Sequence, residues 1–273
     1  MRVVKHASSS PAAEGLVGNS RSFKQMLALA MRVAPSSAVV LLQGETGTGK
    51  ELVARLLHEA GKRANGPFVP VDCSGLTESL FESELFGYEK GAFTGAQHRK
   101  SGLVESAAGG TLFLDKVEEI PLPLQVKLLR LLEGGTYRRV GGIETLRSDF
   151  RLVCATHRDI SQMVEEDRFR RDLYHRISTF PIHIPSLAER EGDIPLLADS
   201  FLRRVAEDRH LRLSSGAIAA LKRRRYSGNI RELRNLIERA TILADGEEIS
   251  ERHFDPQVLI DEVPEATPVP SSG

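Results

Sequence analysis

The chain has 273 residues, 37 basic against 37 acidic side chains, 41% hydrophobic residues and 27% charged ones. This is the make-up of a soluble globular protein, long enough for one large domain or two smaller ones. It excludes a membrane span, since no run of about 18 apolar residues occurs, and zero net charge gives no support to a chain whose main business is gripping nucleic acid.

Residues 1–14, with Ser8-Ser9-Ser10-Pro11, read as a linker, and their basic residues lack the apolar run of a secretory signal. Val39 to Leu42 is a short apolar strand that runs into a Gly-rich turn. A helix follows, with Leu52, Val53, Leu56, Leu57 and Ala60 on one face. Phe68 to Val71 and Thr111 to Leu114 read as further strands, and Leu124, Leu128, Leu129, Leu131 and Leu132 mark another helix. Arg151 to Ala155 and Phe180 to Ile184 complete five short strands. Apolar strands alternating with helices predict a parallel sheet covered on both faces. From about Asp193 to Ala244 the pattern turns wholly helical. The expected organisation is an α/β domain over residues 15–188, a helical subdomain over 189–255 and a Pro-rich linker over 256–273. Cys73 and Cys154 are too few for a disulfide or zinc framework and sit in or beside apolar runs, so buried thiols and a cytoplasmic location are expected.

Chemistry concentrates at two strand ends. Gly44-Glu45-Thr46-Gly47-Thr48-Gly49-Lys50 follows a strand and opens a helix, the context a phosphate-binding loop needs. Its glycines let backbone N–H groups turn in around phosphate oxygens, the helix N-terminus adds its positive dipole end, and Lys50 reaches the β- and γ-phosphates. Glu51 stands where Ser or Thr ordinarily binds magnesium. The strand from Thr111 ends in Asp115, a carboxylate at the edge of a parallel sheet where ligands bind, suited to holding Mg²⁺.

Glu45 to Glu51, Glu84-Leu85-Phe86-Gly87, Gly91-Ala92-Phe93-Thr94-Gly95-Ala96 and Gly109 to Asp115 together resemble the central AAA+ domain of the bacterial sigma-54-dependent transcription activators. The resemblance runs from about Leu16 to Phe254. It implies an α/β AAA+ P-loop NTPase with a five-stranded parallel sheet and a helical lid. It also implies ATP and Mg²⁺ as ligands, a homo-hexameric ring with ATP between subunits, and the sigma-54 RNA polymerase as the target to be remodelled. Carried over residue by residue, Lys50 and Asp115 take the P-loop and metal roles. Arg170 and Arg176 resemble arginine fingers that reach a neighbour's γ-phosphate, His157 the first sensor position, and Arg231 the second sensor on the lid. Residues 91–96 resemble the loop that contacts sigma-54; its tip carries one exposed aromatic, Phe93, and one hydroxyl, Thr94, between glycines that permit a hinge. Arg138 to Gly142 resemble a second pore loop.

Three positions depart from the family pattern. Lys116 replaces the Glu that orients the attacking water. Asp72 stands where many members carry an Asn that switches that Glu, and an Asp72–Lys116 ion pair becomes available. Ser227 replaces a Pro before the second sensor. Glu118 and Glu119 follow closely, but a shift of two or three residues carries a carboxylate away from Lys116's place, so neither is expected to substitute directly. Two functions therefore compete: a mechanochemical ATPase, and a hydrolysis-impaired nucleotide-binding module that works ATP-trapped or within mixed rings. The run Lys222 to Arg225 reads as a solvated lid face. DNA binding is expected only through a domain absent from this chain, and no membrane partner is expected.

Overall fold

The computed structural model describes residues 15–75, 77–206 and 209–255. Its centre is a sheet of five parallel strands, β1 (Val40–Gln43), β2 (Phe68–Asp72), β3 (Thr111–Asp115), β4 (Arg151–Thr156) and β5 (Phe180–His183), in spatial order β2-β3-β4-β1-β5. All five segments expected from the apolar runs form strands. Every residue of β4, at the middle of the sheet, is buried, as a parallel strand covered on both faces requires. Its first residue is nonetheless an arginine. Arg151 donates from Nη1 to the carbonyls of Ala34 (2.6 Å) and Leu57 (3.0 Å) and from Nη2 to that of Val33 (3.2 Å). One guanidinium thus satisfies the C-terminal carbonyls of two helices, α1 (Arg21–Val33) and α2 (Lys50–Glu59), where a positive charge also suits the helix dipoles.

Two apolar layers sandwich the sheet. On one face α1 and α2 bury Phe23, Met26, Ala30, Val53 and Leu57 against Leu42, Phe113 and Ala155. Leu52, expected on the buried face of α2, is instead exposed, while Ala54 takes a buried place. On the other face lie α3 (Glu78–Phe86), α4 (Leu122–Gly134), α5 (Ile160–Glu165) and α6 (Arg171–Ile177), with Phe81, Phe86, Leu124, Leu128 and Leu173 in the core. Cys73 and Cys154 are free and buried there, and burial pushes both thiols above the ordinary range. No helix among the described residues is long and apolar enough to cross a membrane.

After β5 the chain builds the lid from α7 (Asp193–Val205), α8 (Ser215–Arg223) and α9 (Asn229–Leu243), with a separate core of Leu197, Leu202, Leu221, Leu233, Leu236 and Ile237. A two-residue parallel pair, Arg212–Leu213 with Glu248–Ile249, closes the lid and was not visible in the helical pattern. Two polar clamps fasten the lid to the sheet domain. Asp193, fully buried, accepts from Asn19 N (2.6 Å), Ser20 N (2.9 Å) and Ser20 Oγ (2.8 Å) ahead of α1. Its partner Arg190 (3.0 Å) also donates to the Val17 carbonyl and lies 4.4 Å from the Phe23 ring centroid. At the start of α9, fully buried Asn229 donates to Glu45 Oε2 (2.8 Å) and the Thr46 carbonyl (3.1 Å) and accepts from Leu187 N (2.8 Å).

Candidate active site

Parallel strands place their carboxyl ends on one edge, and the candidate residues gather there. Gly44, directly after β1, donates its N–H to Thr156 O at the end of β4 (3.2 Å). Gly47 and Gly49 take φ of 81° and 93°, backbone that L side chains avoid, so the loop can curl before α2 opens at Lys50. Gly47 has a second reason to lack a side chain, since a Cβ there would lie 2.1 Å from the Gly228 carbonyl of the lid. Thr48 is buried and donates to the Glu45 carbonyl (2.8 Å). Lys50 Nζ donates to the carbonyls of Gly44 (2.7 Å) and Glu45 (2.9 Å), which draws the ammonium back over the loop. Burial lowers its pKa, with the carboxylates of Asp115 and Glu118 opposing. Glu51 turns outward and pairs with Arg55 one turn on (2.7 Å).

Asp115 ends β3 beside Asp72, its register partner on β2. Burial raises the Asp115 carboxyl, while the Lys50 ammonium pulls it down. The carboxylate accepts from its own neighbour's backbone, Lys116 N, at 3.0 Å. Lys116 itself adopts a left-handed backbone, φ 55°. Its Nζ donates to Asp72 Oδ2 (3.0 Å) and Ser74 Oγ (2.8 Å), the ion pair that the two departures made available. The hydrogen bond it donates to Asp72 raises the Lys116 pKa. Burial pushes the Asp72 carboxyl up, but Ser74 N–H and Oγ and Lys116 together hold it below its usual value.

The left-handed turn at Lys116 starts a short 3-10 turn, Val117–Glu119, and the next two carboxylates pair with adjacent residues, one buried and one near the surface. Glu119 pairs with Arg158 near the surface (2.9 Å). Glu118 is buried and reaches the Nδ1 of His157, 2.6 Å away, just past the end of β4. Neither occupies Lys116's place. On the lid side, Arg231 N donates to the Gly47 carbonyl (3.2 Å), which sets the Arg231 side chain over the loop. Lys50, Asp115, Lys116, His157 and Arg231 all line one cleft of about 920 Å³ between sheet domain and lid, and Val17 and Phe201 line it too. Sequence reasoning missed Asn229, which docks the lid on the loop, as well as the apolar lining. The Asn229 φ of 52° is a signal that only coordinates display.

The donor set suits a Mg²⁺ ion that arrives with nucleotide. No group of three or more His, Cys, Asp or Glu among the described residues forms a metal cage. Mg²⁺ needs only one or two carboxylates when phosphate oxygens and water fill the remaining positions, and Asp115 offers one.

A family model described as the sigma-54 interaction domain matches residues 16–183. The chain belongs to the sigma-54 interaction domain family. An AAA+ ATPase lid domain model matches residues 188–269. The chain is 50% identical over 244 residues to a Nif-specific regulatory protein of Azorhizobium caulinodans, covering 89% of this chain and 40% of the relative. It is 50% identical over 251 residues to the transcriptional regulatory protein ZraR of Salmonella typhimurium, covering 90% and 57%. This chain therefore spans about half the length of the curated relatives it matches. A crystal structure of NtrX from Brucella abortus in complex with ATP superposes with a TM-score of 0.81 at 38% identity, covering 91% of this chain and 58% of that one.

Two further features expected of a sigma-54 interaction domain lie outside the cleft. Residues 91–96 form a tight tip in which Gly91 N donates to the Ala96 carbonyl (2.9 Å) and Gly91 and Gly95 take positive φ. Ala96 is buried at the base, Thr94 is exposed, and the half-exposed Phe93 ring rests edge-on against Tyr88, 4.9 Å between centroids. The stretch Arg138 to Gly142 packs against this tip. Glu89 N donates to Val140 O (3.0 Å), and buried Arg139 pairs with Glu89 (2.9 Å) and Glu105 (2.7 Å). Arg170 and Arg176 stand apart from the chain's own cleft: Arg170 pairs with Asp172 (2.6 Å), and Arg176 donates to the Leu132 carbonyl (2.7 Å).

Proposed function

We propose that this chain binds ATP with Mg²⁺ in the lid cleft, assembles into a ring and uses the nucleotide cycle to remodel the sigma-54 RNA polymerase. The observation that carries this reading is the convergence of Lys50, Asp115 and Arg231 on one cleft whose glycine loop is docked to the lid. Lys50 and the loop N–H groups hold the phosphates, Asp115 holds the metal, and Arg231 and His157 sense the γ-phosphate. Magnesium supplies charge neutralisation on the phosphate oxygens. Asp115 and Lys50 need only hold their positions, and Glu51, turned to Arg55, plays no part in metal binding. The NtrX complex with ATP, a relative at 38% identity, supports the choice of nucleotide.

The Lys116–Asp72 ion pair favours slow hydrolysis, because an ammonium presents donors and no acceptor to an attacking water. The expected behaviour is a long-lived ATP state that holds the 91–96 tip in one arrangement. Thr94→Ala and Phe93→Ala should leave ATP affinity intact and abolish co-migration with sigma-54 in the presence of an ATP transition-state mimic. Retention of co-migration in both variants would remove the tip from the interface.

Arg170 and Arg176 act on a neighbouring subunit in this reading, since both lie away from their own cleft and a planar guanidinium suits charge developing on a transferred phosphoryl group. On the Lys116→Glu background, Arg176→Ala and Lys50→Ala proteins should each be nearly inactive, and their mixture should recover part of the hydrolysis. Mixed rings that form without any recovery would contradict a shared site.

A further inference from the structure

Glu118 is a buried carboxylate with an unfinished set of partners. Its side chain is wholly shielded from solvent. Oε1 lies 2.6 Å from His157 Nδ1 and accepts the His157 backbone N–H at 3.3 Å. Oε2 is buried with no hydrogen-bond partner. Burying half of a carboxylate unsatisfied opposes folding, so such a group calls for a reason. His157 meanwhile remains about a third exposed and lines the cleft that holds Lys50 and Asp115. Thr156, one residue before it, pairs in register with Gln43, the last residue of β1 ahead of the loop.

We propose that Glu118 and His157 form a carboxylate–imidazole pair that orients the attacking water for ATP hydrolysis, in place of the Glu that Lys116 displaces. This rests on the nucleotide reading above and adds to it. Glu118 is the positioning residue. By accepting from Nδ1–H it fixes the imidazole tautomer in which Nε2 carries the lone pair, the arrangement by which a carboxylate orients a working histidine. His157 is the residue that touches the water. The water oxygen forms a bond to the γ-phosphorus as the bond from that phosphorus to its bridging oxygen breaks. ADP leaves with the bridging oxygen and its electron pair, and the proton lost by the water passes to His157 Nε2. The other nearby carboxylates are occupied: Asp72 by Lys116 and Ser74, Glu119 by Arg158, and Asp115 by the metal role. With Lys116 in place, the pair would supply the proton acceptor for whatever hydrolysis the chain carries out.

The test places Glu118→Gln and His157→Gln in the native chain and in the Lys116→Glu background. Steady-state kcat and KM, the Kd of a non-hydrolysable ATP analogue and the melting temperature are read for each. In the native chain Glu118→Gln should lower kcat by about 10-fold or more, within the usual range for a proton acceptor. KM and analogue Kd should stay within about 2-fold, and the Tm should not fall, because Gln removes a buried charge while keeping an acceptor for Nδ1–H. With Glu at position 116 the same substitution should cost several-fold less, since a second acceptor then serves the water. An equal loss in both backgrounds, or a loss that tracks a lowered Tm, would make Glu118 purely structural and overturn the proposal. No loss in the native chain, or analogue binding without turnover above a Lys50→Ala control, would overturn it as well. Failure of the native chain to bind the analogue would instead sink the nucleotide reading, and the pair with it.

Discussion

Lys116→Glu is expected to raise steady-state ATP hydrolysis by about 100-fold or more, the scale of a well-placed proton acceptor. In the native chain the Lys116 ammonium is held between Asp72 Oδ2 and Ser74 Oγ, and its hydrogen bond to Asp72 strengthens its hold on the proton. A Glu at this position meets the Asp72 carboxylate across the same short gap. Like charges at that distance repel, so the new side chain is driven off Asp72 and toward the cleft that Lys50 and Asp115 line. Asp72→Asn added to Lys116→Glu removes that repulsion and offers the Glu an amide to rest on, so the double variant should hydrolyse more slowly than Lys116→Glu alone. Equal rates for the native protein and Lys116→Glu, in a phosphate-release assay at saturating ATP, would place the rate-limiting chemistry outside position 116.

Lys50→Ala should weaken ATP binding by roughly 2–3 kcal/mol, about 30- to 150-fold in Kd, the range for a charge-assisted hydrogen bond in a partly desolvated site. Two of its donors already engage the Gly44 and Glu45 carbonyls, so the ammonium is held in place before nucleotide arrives and one donor remains for a phosphate oxygen. The substitution also frees those two carbonyls and loosens the loop. Titration with a fluorescent ATP analogue reads the loss, and an unchanged melting temperature shows that it is local. Unaltered affinity would remove the loop from phosphate binding.

The sheet was legible because its signals are local: each strand is a short apolar run, and the phosphate loop follows one of them directly. The Asp72–Lys116 pair was legible through the family resemblance, which couples those two positions, and the register of β2 on β3 brings them side by side. Glu118 was not. Its reach to His157 follows the left-handed backbone at Lys116, which turns a residue two places along toward the end of β4 and a partner 39 positions away. Spacing argued against Glu118 in Lys116's place but could not show where the side chain goes instead. The resemblance placed Arg139 in a second pore loop but not its partners: it is buried between Glu89 and Glu105 from two other segments. Asp193 and Asn229 are ordinary polar residues at helix starts until the partners they clamp are seen.

Those two clamps have a mechanical consequence. Asp193 pins the start of α7 to residues 19 and 20, and Asn229 pins the start of α9 to the phosphate loop, beside the point where the chain crosses from sheet domain to lid. Both lie among the other bonds that tie lid to sheet domain, and a rocking about the line between them would stretch these bonds least. Arg231 sits within a turn of the Asn229 pin and so barely shifts. The far end of α7, at Val205 in this 13-residue helix that starts at the Asp193 pin, sweeps through roughly 3 Å for a tilt of about 10°, given a rise of about 1.5 Å per residue. Small changes beside the phosphate loop would then appear, amplified, at the far end of α7, where Phe201 and Val205 line the cleft.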